Sequence, residues 1–235
     1  SIRTFKGVGI DDPTATIRFS ISPLGFHALS SSGARSALFI EPYSSNESDL
    51  YIVFNKASII DYQSDFECLV ETEILNRTYQ YNSNEFNGEG DIDDQKLRKY
   101  RLALSCTGEY SQNFAGNGTI AQQKTNVLSA MVTSINRVNE IYERDLGIRL
   151  EFIPNNDEII YLDPSTDPWQ NEFNTTTAVT IDNVIGVENY DIGHNYNDSG
   201  GGSAGCLGCV CSSSSQNNFH KGRAYTGSGN PIGDP

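Results

Sequence analysis

Residues 119–146 contain one stripe of regularly spaced apolar residues, whereas most other segments of the chain have the pattern of short strands. At spacings of four and three, the stripe contains Val127, Met131, Ile135, Val138 and Tyr142. This period is typical of an α-helix with one buried face. Thr119 or Gly118 is suited to cap its start, and Gly147 occupies the position of a helix-terminating glycine. The sequence therefore predicts one long helix here.

The first part of the chain is predicted to be β-rich. Between residues 14 and 70, turn signals separate the runs TATIRFSIS, RSALFIEPY, DLYIVFN and DFECLVE. Side chains on a strand alternate between faces. In the first run, Ala15, Ile17 and Phe19 therefore share one face, opposite Thr16, Arg18 and Ser20.

The second part alternates strands with helices. The predicted strands are RKYRLALSCTGEY, IRLEFIPNN, EIIYLD, YDIGHNY, AGCLGCVC and GRAYTG. A shorter helix, TTAVTIDNVIG, is predicted to be capped by one of its threonines. The fold class that follows is α+β, with a β-rich first part and then a mixed sheet with two backing helices.

Residues 80–95 are predicted to link the two parts. QYNSNEFNGEGDIDDQ has no sustained periodicity and is rich in Asn, Gly and acids, as exposed linkers are. Its GDIDD stretch offers oxygens for calcium but does not fit the EF-hand pattern, so a solvated linker is favoured. The predicted division is a domain at 1–79, a linker at 80–95 and a domain at 96–235.

Charge excludes two classes of partner. The chain has a formal net charge of −14 and a pI near 4.5, so phosphate-rich surfaces would repel it. No stretch approaches the ~20 continuous apolar residues of a membrane span. We therefore expect neither nucleic acid nor membrane among its partners.

Residues 190–211, YDIGHNYNDSGGGSAGCLGCVC, can be interpreted as a metal site, a redox site or a stretch of sheet. Cys206, Cys209, Cys211 and His220 give a C-x2-C-x-C-x8-H pattern, but a structural zinc usually draws its ligands from paired turns. In a strand, Cys209 and Cys211 would lie on one face and Cys206 on the other. Sheet with one or two buried or disulfide-bonded cysteines is therefore favoured over a metal, and the chain supplies no G-x-S-x-G nucleophile for His194. His27 is likewise interpreted as structural.

The second part, from about residue 96, resembles a secreted, adamalysin-type (reprolysin-like) zinc metallopeptidase of the metzincin group, closest to bacterial members. The segments that carry this resemblance are RLALSCTGEY, INRVNEIYERDLGIRLEFIPNND, NYDIGHNY, GGGSAGCLGCVC and GNPIGDP. The first part, with GVGIDDPTATIRFSISPLGFHAL, is similar to the propeptide of such proteins. The resemblance implies a secreted proenzyme that hydrolyses peptide bonds in protein or peptide substrates.

The resemblance also implies roles for individual residues. The cleft-lining edge strand that pairs with an extended substrate would consist of Ala204, Gly205, Cys206, Leu207 and Gly208. Asp191 matches a calcium-binding acid of relatives, although Arg101 stands where a second acid is expected. In relatives, the cysteine matching Cys211 forms a disulfide with one beyond the zinc-binding helix.

The zinc motif itself is missing. The 235 residues contain no H-E-x-x-H, and the three histidines, His27, His194 and His220, cannot form one. The resemblance implies that the zinc ligands, and the glutamate that activates the metal-bound water, follow Pro235. We expect no catalytic residue and no zinc site in this chain, an inactive fragment alone, and a partner in its own C-terminal segment.

Cys68, in DFECLVET, is a candidate inhibitory thiol. A propeptide thiolate can silence a zinc peptidase by replacing the catalytic water, but DFECLVE lacks the P-K-x-C-G-V-like motif usual for this. The competing interpretation is an ordinary strand cysteine.

For the whole chain, the alternative function is a secreted, non-catalytic, calcium-binding β-rich module for adhesion or carbohydrate binding.

Overall fold

The computed structural model describes residues 1–44, 47–59, 67–69, 95–170, 172–212, 220–228 and 232. The chain divides into two compact units. The first unit comprises Ser1–Ser64, Asn113–Ile148 and Asn230–Pro235, and the second comprises Asp65–Gln112 and Arg149–Gly229. Both units are assembled from segments that are distant in sequence.

An antiparallel five-stranded sheet forms most of the first unit. Its strands, in spatial and sequence order, are β1 (Arg3–Val8), β2 (Thr16–Ser22), β3 (Gly25–Ser31), β4 (Leu38–Ser44) and β5 (Glu47–Asn55). The predicted β-rich character is confirmed. The sequence interpretation missed β1, which precedes the runs it considered, and β3, which it had partly assigned to a turn.

The two faces of this sheet differ in an unexpected sense. On β2, Arg18 and Ser20 are buried, whereas Ile21 is about half exposed. The opposite face carries an aromatic row across four strands, in which Phe5 stacks on Phe19 at 4.9 Å between ring centroids. The row continues through Phe26 to Tyr51. On β2, the face with the polar side chains is therefore the more buried one.

The long helix is confirmed at both ends. Helix α2 (Ile120–Leu146), which follows a short helix α1 (Gly108–Gln112) of the second unit, starts at a capping box. The Thr119 hydroxyl accepts from the Gln122 amide, while the Gln122 side chain accepts from the Thr119 amide at 2.9 Å. At the other end, Gly147 adopts the left-handed conformation with φ 63°, which disfavours residues with a Cβ.

Polar contacts attach α2 to the buried face of the sheet. Arg18 donates to the Asn136 side chain at 3.2 Å and is ion-paired with Glu143. The Ser20 and Thr133 hydroxyls lie 3.2 Å apart. The side chains of Arg18 and Glu143 are both more than nine-tenths buried, and their ion pair helps to offset the loss of hydration, together with Lys6, which lies 2.8 Å from Glu143. The polar residues of β2 are buried because the facing helix also presents polar groups.

A six-stranded mixed sheet forms the second unit. Its spatial order is β6-β10-β11-β9-β7-β8. The strands are β6 (Glu67–Cys68), β7 (Arg98–Cys106), β8 (Ile148–Phe152), β9 (Ile192–Asn197), β10 (Gly201–Ala204) and β11 (Ala224–Gly227). β7 and β11 both run parallel to β9, and β10 runs antiparallel to β11. The predicted mixed sheet is confirmed.

Two helices belong to the second unit, α1 (Gly108–Gln112) and α3 (Asn174–Ile185). The prediction of helix α3 is confirmed, but the prediction that a threonine caps it is wrong. No threonine caps it; instead the Glu172 carboxylate accepts from the amides of Thr175 at 2.8 Å and Thr176 at 2.9 Å. A carboxylate also suits the positive end of the helix dipole.

The core of the second unit joins its sheet to α3. Its buried members are Ala103, Ile153, Ile159, Ile181, Ile185 and Tyr190. The predicted strand EIIYLD is wrong. Its start lies in a 3₁₀ turn, Asn156–Ile159, followed by one bridge between Ile160 and Cys106. Ile159 and Ile160 are buried there without forming a strand.

The α+β class is confirmed by the two sheets and their helices. The compact units group α2 with the N-terminal sheet, and Glu67–Cys68 with the second sheet, so they cut across the predicted domain limits. Those limits stay a prediction, and the linker at 80–95 lies outside the described residues except for Gln95. Among the helices of the described part, none is long and apolar enough to cross a membrane.

Candidate functional site

Strand β10 is the centre of the candidate site. One side of it pairs antiparallel with β11, so that Ser203 faces Tyr225 and Ala204 faces Ala224. The Gly205 amide extends this ladder by donating to the Arg223 carbonyl at 2.7 Å. The other side of β10 faces away from β11, β9, β7 and β8.

The chain's own residues occupy that other side. Strand β6 runs parallel to β10, with Glu67 opposite Gly201 and Cys68 opposite Gly202. The Glu67 amide donates to the Gly200 carbonyl at 3.2 Å, and the Leu69 amide donates to the Gly202 carbonyl at 2.7 Å. A segment from the N-terminal part of the chain is thus added to the sheet as a short edge strand.

Gly201 permits this close approach. A Cβ built on Gly201 would lie 3.0 Å from the Glu67 carbonyl oxygen and 3.0 Å from Leu69 Cδ1. Because a backbone oxygen in a strand cannot move aside cheaply, a side chain at this position would push β6 away. The glycines before Ser203 therefore shape β10 to receive another backbone.

The predicted edge strand is displaced by about three residues. Of the five residues assigned to substrate binding, Ala204 ends β10, whereas Gly205, Cys206, Leu207 and Gly208 lie in the bend and turn that follow. The strand instead uses Gly201–Ala204. The prediction of a strand over AGCLGCVC is therefore wrong, because two of its cysteines close a tight loop.

The cysteines show how that loop is closed. Cys206 and Cys209 form a disulfide across three residues, contrary to the prediction that they occupy a strand. Cys211 is exposed and outside any disulfide in the chain, and so is Cys68. Cys106 is buried, with Sγ 3.3 Å from the Ser111 hydroxyl. The partner that the resemblance implies for Cys211 stays a prediction.

His194 lies on β9, as predicted for a sheet histidine. Its Nε2 is 2.9 Å from the Thr226 hydroxyl of the neighbouring strand. Removal from water lowers the pKa of His194 to about 4, so the ring is neutral near pH 7. His27 is also structural, on β3 of the first unit, 3.5 Å from Glu41.

Sequence reasoning missed a polar cluster around Asp182 of α3. His220 Nε2 lies 2.9 Å from one Asp182 oxygen, and the Tyr190 hydroxyl donates to the other at 2.6 Å. The second ring nitrogen of His220 accepts from the Gly222 amide at 3.0 Å. Burial and the Asp182 hydrogen bond raise the pKa of Tyr190. Because both ring nitrogens have hydrogen-bond partners within the chain, His220 has a structural role and is not placed to serve as a zinc ligand.

Asp191, the candidate calcium ligand, is bound by Arg101. The guanidinium donates to both carboxylate oxygens, at 2.8 Å from Nη2 and 3.2 Å from Nε, and the Arg101 amide adds a bond at 2.7 Å. The Arg101 hydrogen bonds hold the pKa of Asp191 below its usual range. Arg101 thus supplies the positive charge that a calcium ion would otherwise bring.

The described residues do not fit a metal centre. Within the described residues, no group of three or more His, Cys, Asp or Glu side chains is close enough to hold an ion. The sequence itself contains no H-E-x-x-H.

Comparison with known families adds independent information. The family model described as Metallo-peptidase family M12B Reprolysin-like matches residues 97–234, which is more than half of the chain. No curated protein matches the chain. The family match begins at the start of β7 and so includes β10 but neither β6 nor the five-stranded sheet.

Proposed function

The chain belongs to the reprolysin-like M12B metallopeptidase family, and on that premise we propose that it is part of a secreted zinc endopeptidase proenzyme. Residues 97–234 would be the N-terminal part of the catalytic domain, and the residues before them a propeptide. The proposal is supported by one observation above all, which is the pairing of Glu67–Cys68 with β10.

An extended polypeptide substrate would pair with the outer side of β10. Such pairing uses backbone groups that every peptide has, so it suits an enzyme that cleaves proteins. Gly201–Ala204 offer their backbone on the side away from β11, and Ala204 is shared with the predicted substrate-binding set. Contacts from Gly205, Cys206, Leu207 and Gly208 remain part of the proposal, as a turn beside the end of this edge.

In the proenzyme, β6 would exclude substrate by holding the same backbone groups. The amides of Glu67 and Leu69 use the carbonyls of Gly200 and Gly202, which a substrate strand would otherwise bind. Because β6 belongs to the same chain, its effective concentration at the edge is high until the connection is cut. Latency would therefore follow from competition for hydrogen bonds.

Family membership implies dependence on zinc, which in such enzymes activates a water molecule and polarises the scissile carbonyl. The described residues contain no ligand set, and residues 1–235 contain no H-E-x-x-H. We assign the zinc ligands of the proposed enzyme to residues outside this sequence, and we expect residues 1–235 alone to be inactive. The contribution of these residues would be to bind and align the substrate backbone.

Cys68 would add to latency if its thiol reached the metal. It is exposed at the edge strand, and its backbone faces Gly202. An exposed thiol beside a substrate edge is placed for this role, and competition by the backbone of β6 does not require it. The two contributions can be separated by mutation.

The test uses the longer proenzyme that includes the zinc-binding segment. Leu69→Pro removes the amide that bonds to Gly202, and we expect basal hydrolysis of a quenched fluorescent peptide to rise by about tenfold, as loss of one hydrogen bond of about 1.4 kcal/mol allows. Leu69→Ala keeps the amide and is the matched control for the lost side chain. Cys68→Ser reports the thiol separately.

Four outcomes decide the proposal. Activation by Leu69→Pro alone supports backbone competition, and activation by Cys68→Ser adds the thiol. A proenzyme that stays equally latent in both variants would contradict the role of β6. Absence of zinc-dependent peptidase activity in the processed protein would overturn the assigned function.

A further inference from the structure

A cavity of about 380 Å³ lies in the first unit between the sheet and helix α2. Strands β3 and β4 contribute its floor, and the C-terminal half of α2 contributes one wall. Its volume falls within the range of small-molecule sites, which is roughly 300–1,000 Å³. Its position is independent of β10, and the proposed peptidase function does not use it.

The charged groups that line this cavity are all cationic. They are Arg35, Lys56, Arg137 and Arg144, and no Asp or Glu is among the lining residues. The whole chain has only 16 Lys and Arg against 30 Asp and Glu, so four cations around one cavity are a strong local reversal of charge. Such a site attracts anions although the protein as a whole repels them.

Two of these cations differ in how far their charge is already satisfied. Arg137 is ion-paired with Glu41 and donates to the Ile232 carbonyl at 2.8 Å, and its Nε is buried. Arg137 therefore contributes its positive charge to the cavity and not a free hydrogen-bond donor. Lys56 is exposed, and its ammonium makes no hydrogen bond or ion pair within the described part of the chain.

The other two cations are only partly neutralised. Arg144 pairs with its exposed neighbour Asp145 at 2.7 Å, an interaction that water screens. Arg35 is exposed and is attracted electrostatically to Asp12. The rim of the cavity therefore keeps a positive field.

Beneath the cationic rim the cavity is apolar. Leu29 and Phe39 are each 5% exposed and form the floor, with the Arg137 guanidinium 5.5 Å from the Phe39 ring centroid. Val138 and Ile141 of α2 add an aliphatic wall. A ligand that filled this space would need an anionic end and an apolar body.

We propose that this cavity binds an amphipathic carboxylate. The carboxylate would accept hydrogen bonds from the exposed Lys56 and Arg35 side chains, since a guanidinium group matches the planar geometry of a carboxylate, and the charge of Arg137 would add to the attraction. The aliphatic part would lie on Leu29, Phe39 and Ile141. A medium-chain fatty acid and the C-terminus of an apolar peptide share this chemistry.

Calorimetry on the 235-residue protein at pH 7.5 tests the proposal with defined probes. Decanoate and N-acetyl-Leu-Leu represent the two sources of carboxylate, and decanol is the uncharged control. We expect one carboxylate to bind with a stoichiometry near one, at least about tenfold more tightly than decanol, because charge-assisted hydrogen bonds distinguish the two.

Two variants locate the site. Arg35→Gln combined with Lys56→Gln should weaken carboxylate binding about tenfold, and Ile141→Glu should abolish it by placing a negative charge on the wall. Arg3→Gln combined with Lys99→Gln removes two exposed cations outside the lining and should leave binding unchanged. Equal binding of decanol and decanoate, no binding of either carboxylate, or equal weakening by the control pair would each overturn the proposal.

Discussion

At the scale of residues, His27 and Glu41 form a buried pair whose two pKa shifts oppose each other. Burial, and then the nearby Arg137 charge, lowers the pKa of His27 from 6.5 to about 4. Burial raises the pKa of Glu41 from 4.5 to about 7, even though Arg137 favours its charged form. Between about pH 4 and 7, both groups are therefore largely neutral.

The signs of the two contributions to stability follow from linkage. Glu41 binds its proton more tightly when folded, so its contribution is full below pH 4.5 and is lost as pH rises to 7. His27 binds its proton less tightly when folded, so its contribution is full above pH 6.5 and is lost as pH falls to 4. Each shift corresponds to about 3 kcal/mol, and in the intact protein they largely cancel.

Single substitutions should reveal each component. In His27→Gln, hydrogen exchange of peptides from β3 and β4 should accelerate as pH rises from 5 to 7.5, after correction for the intrinsic exchange rate. In Glu41→Gln, the corrected exchange should slow over the same interval. Identical corrected profiles in both variants would show that the pair does not titrate as described.

At the scale of elements, the ends of α2 are set by a few local residues. The reciprocal bonds between Thr119 and Gln122 satisfy two amides that a helix cannot bond internally. These contacts need only a few neighbouring residues, which is why the sequence predicted a cap at Thr119 or Gly118, although it did not predict the part played by Gln122.

Thr119→Ala should therefore lower the free energy of unfolding of the first unit by about 1 kcal/mol, the usual cost of losing a cap. The matched control is Thr125→Ala, in the first part of α2. The Thr125 hydroxyl only bonds back to the Ala121 carbonyl at 2.7 Å, and alanine has the higher helix propensity. Denaturant unfolding followed by exchange at α2 measures both, and an equal loss in the control would argue against the cap.

At the scale of the whole molecule, the first unit combines segments from both sides of the predicted linker. Arg18 of β2 and Glu143 of α2 are 125 residues apart in sequence and form a buried ion pair. Cutting the chain between residues 80 and 94 leaves this contact intact. The N-terminal sheet is thus attached to α2 by side-chain contacts, and this attachment does not depend on an unbroken chain between them.

A protein cut at an engineered protease site between residues 80 and 94 should accordingly elute as one species in size-exclusion chromatography. Arg18→Met removes the hydrogen bond of Arg18 to Asn136 and its ion pair with Glu143, which keeps Lys6 as a partner. The lost charge-assisted hydrogen bonds should cost about 1–3 kcal/mol, so the two pieces of this variant should separate at lower urea. Arg3→Met, at an exposed position of β1, is the control and should behave like the parent. Separation of the parent pieces in buffer would contradict the predicted attachment.

The family resemblance was predictable because its signatures are local runs of sequence. YDIGHNY gave β9, and the stripe from Val127 to Ile135 gave the buried part of α2. Strand β10 was placed only approximately, since GGGSAG has no large side chains that fix where a strand ends. The disulfide from Cys206 to Cys209 closes the turn there, and no alternation pattern contains that information.

By itself, the sequence determined the elements whose causes lie within a few residues, such as the capped ends of α2, the strand through His194, and the missing zinc motif. Only the tertiary structure decided which face of the N-terminal sheet is buried and where Glu67–Cys68 pair. Both depend on groups that are remote in sequence: polar partners on α2 make the Arg18 face the buried one, and the open carbonyls beside Gly201 accept β6. Backbone hydrogen bonding carries no side-chain signature, so that pairing could be seen only in three dimensions.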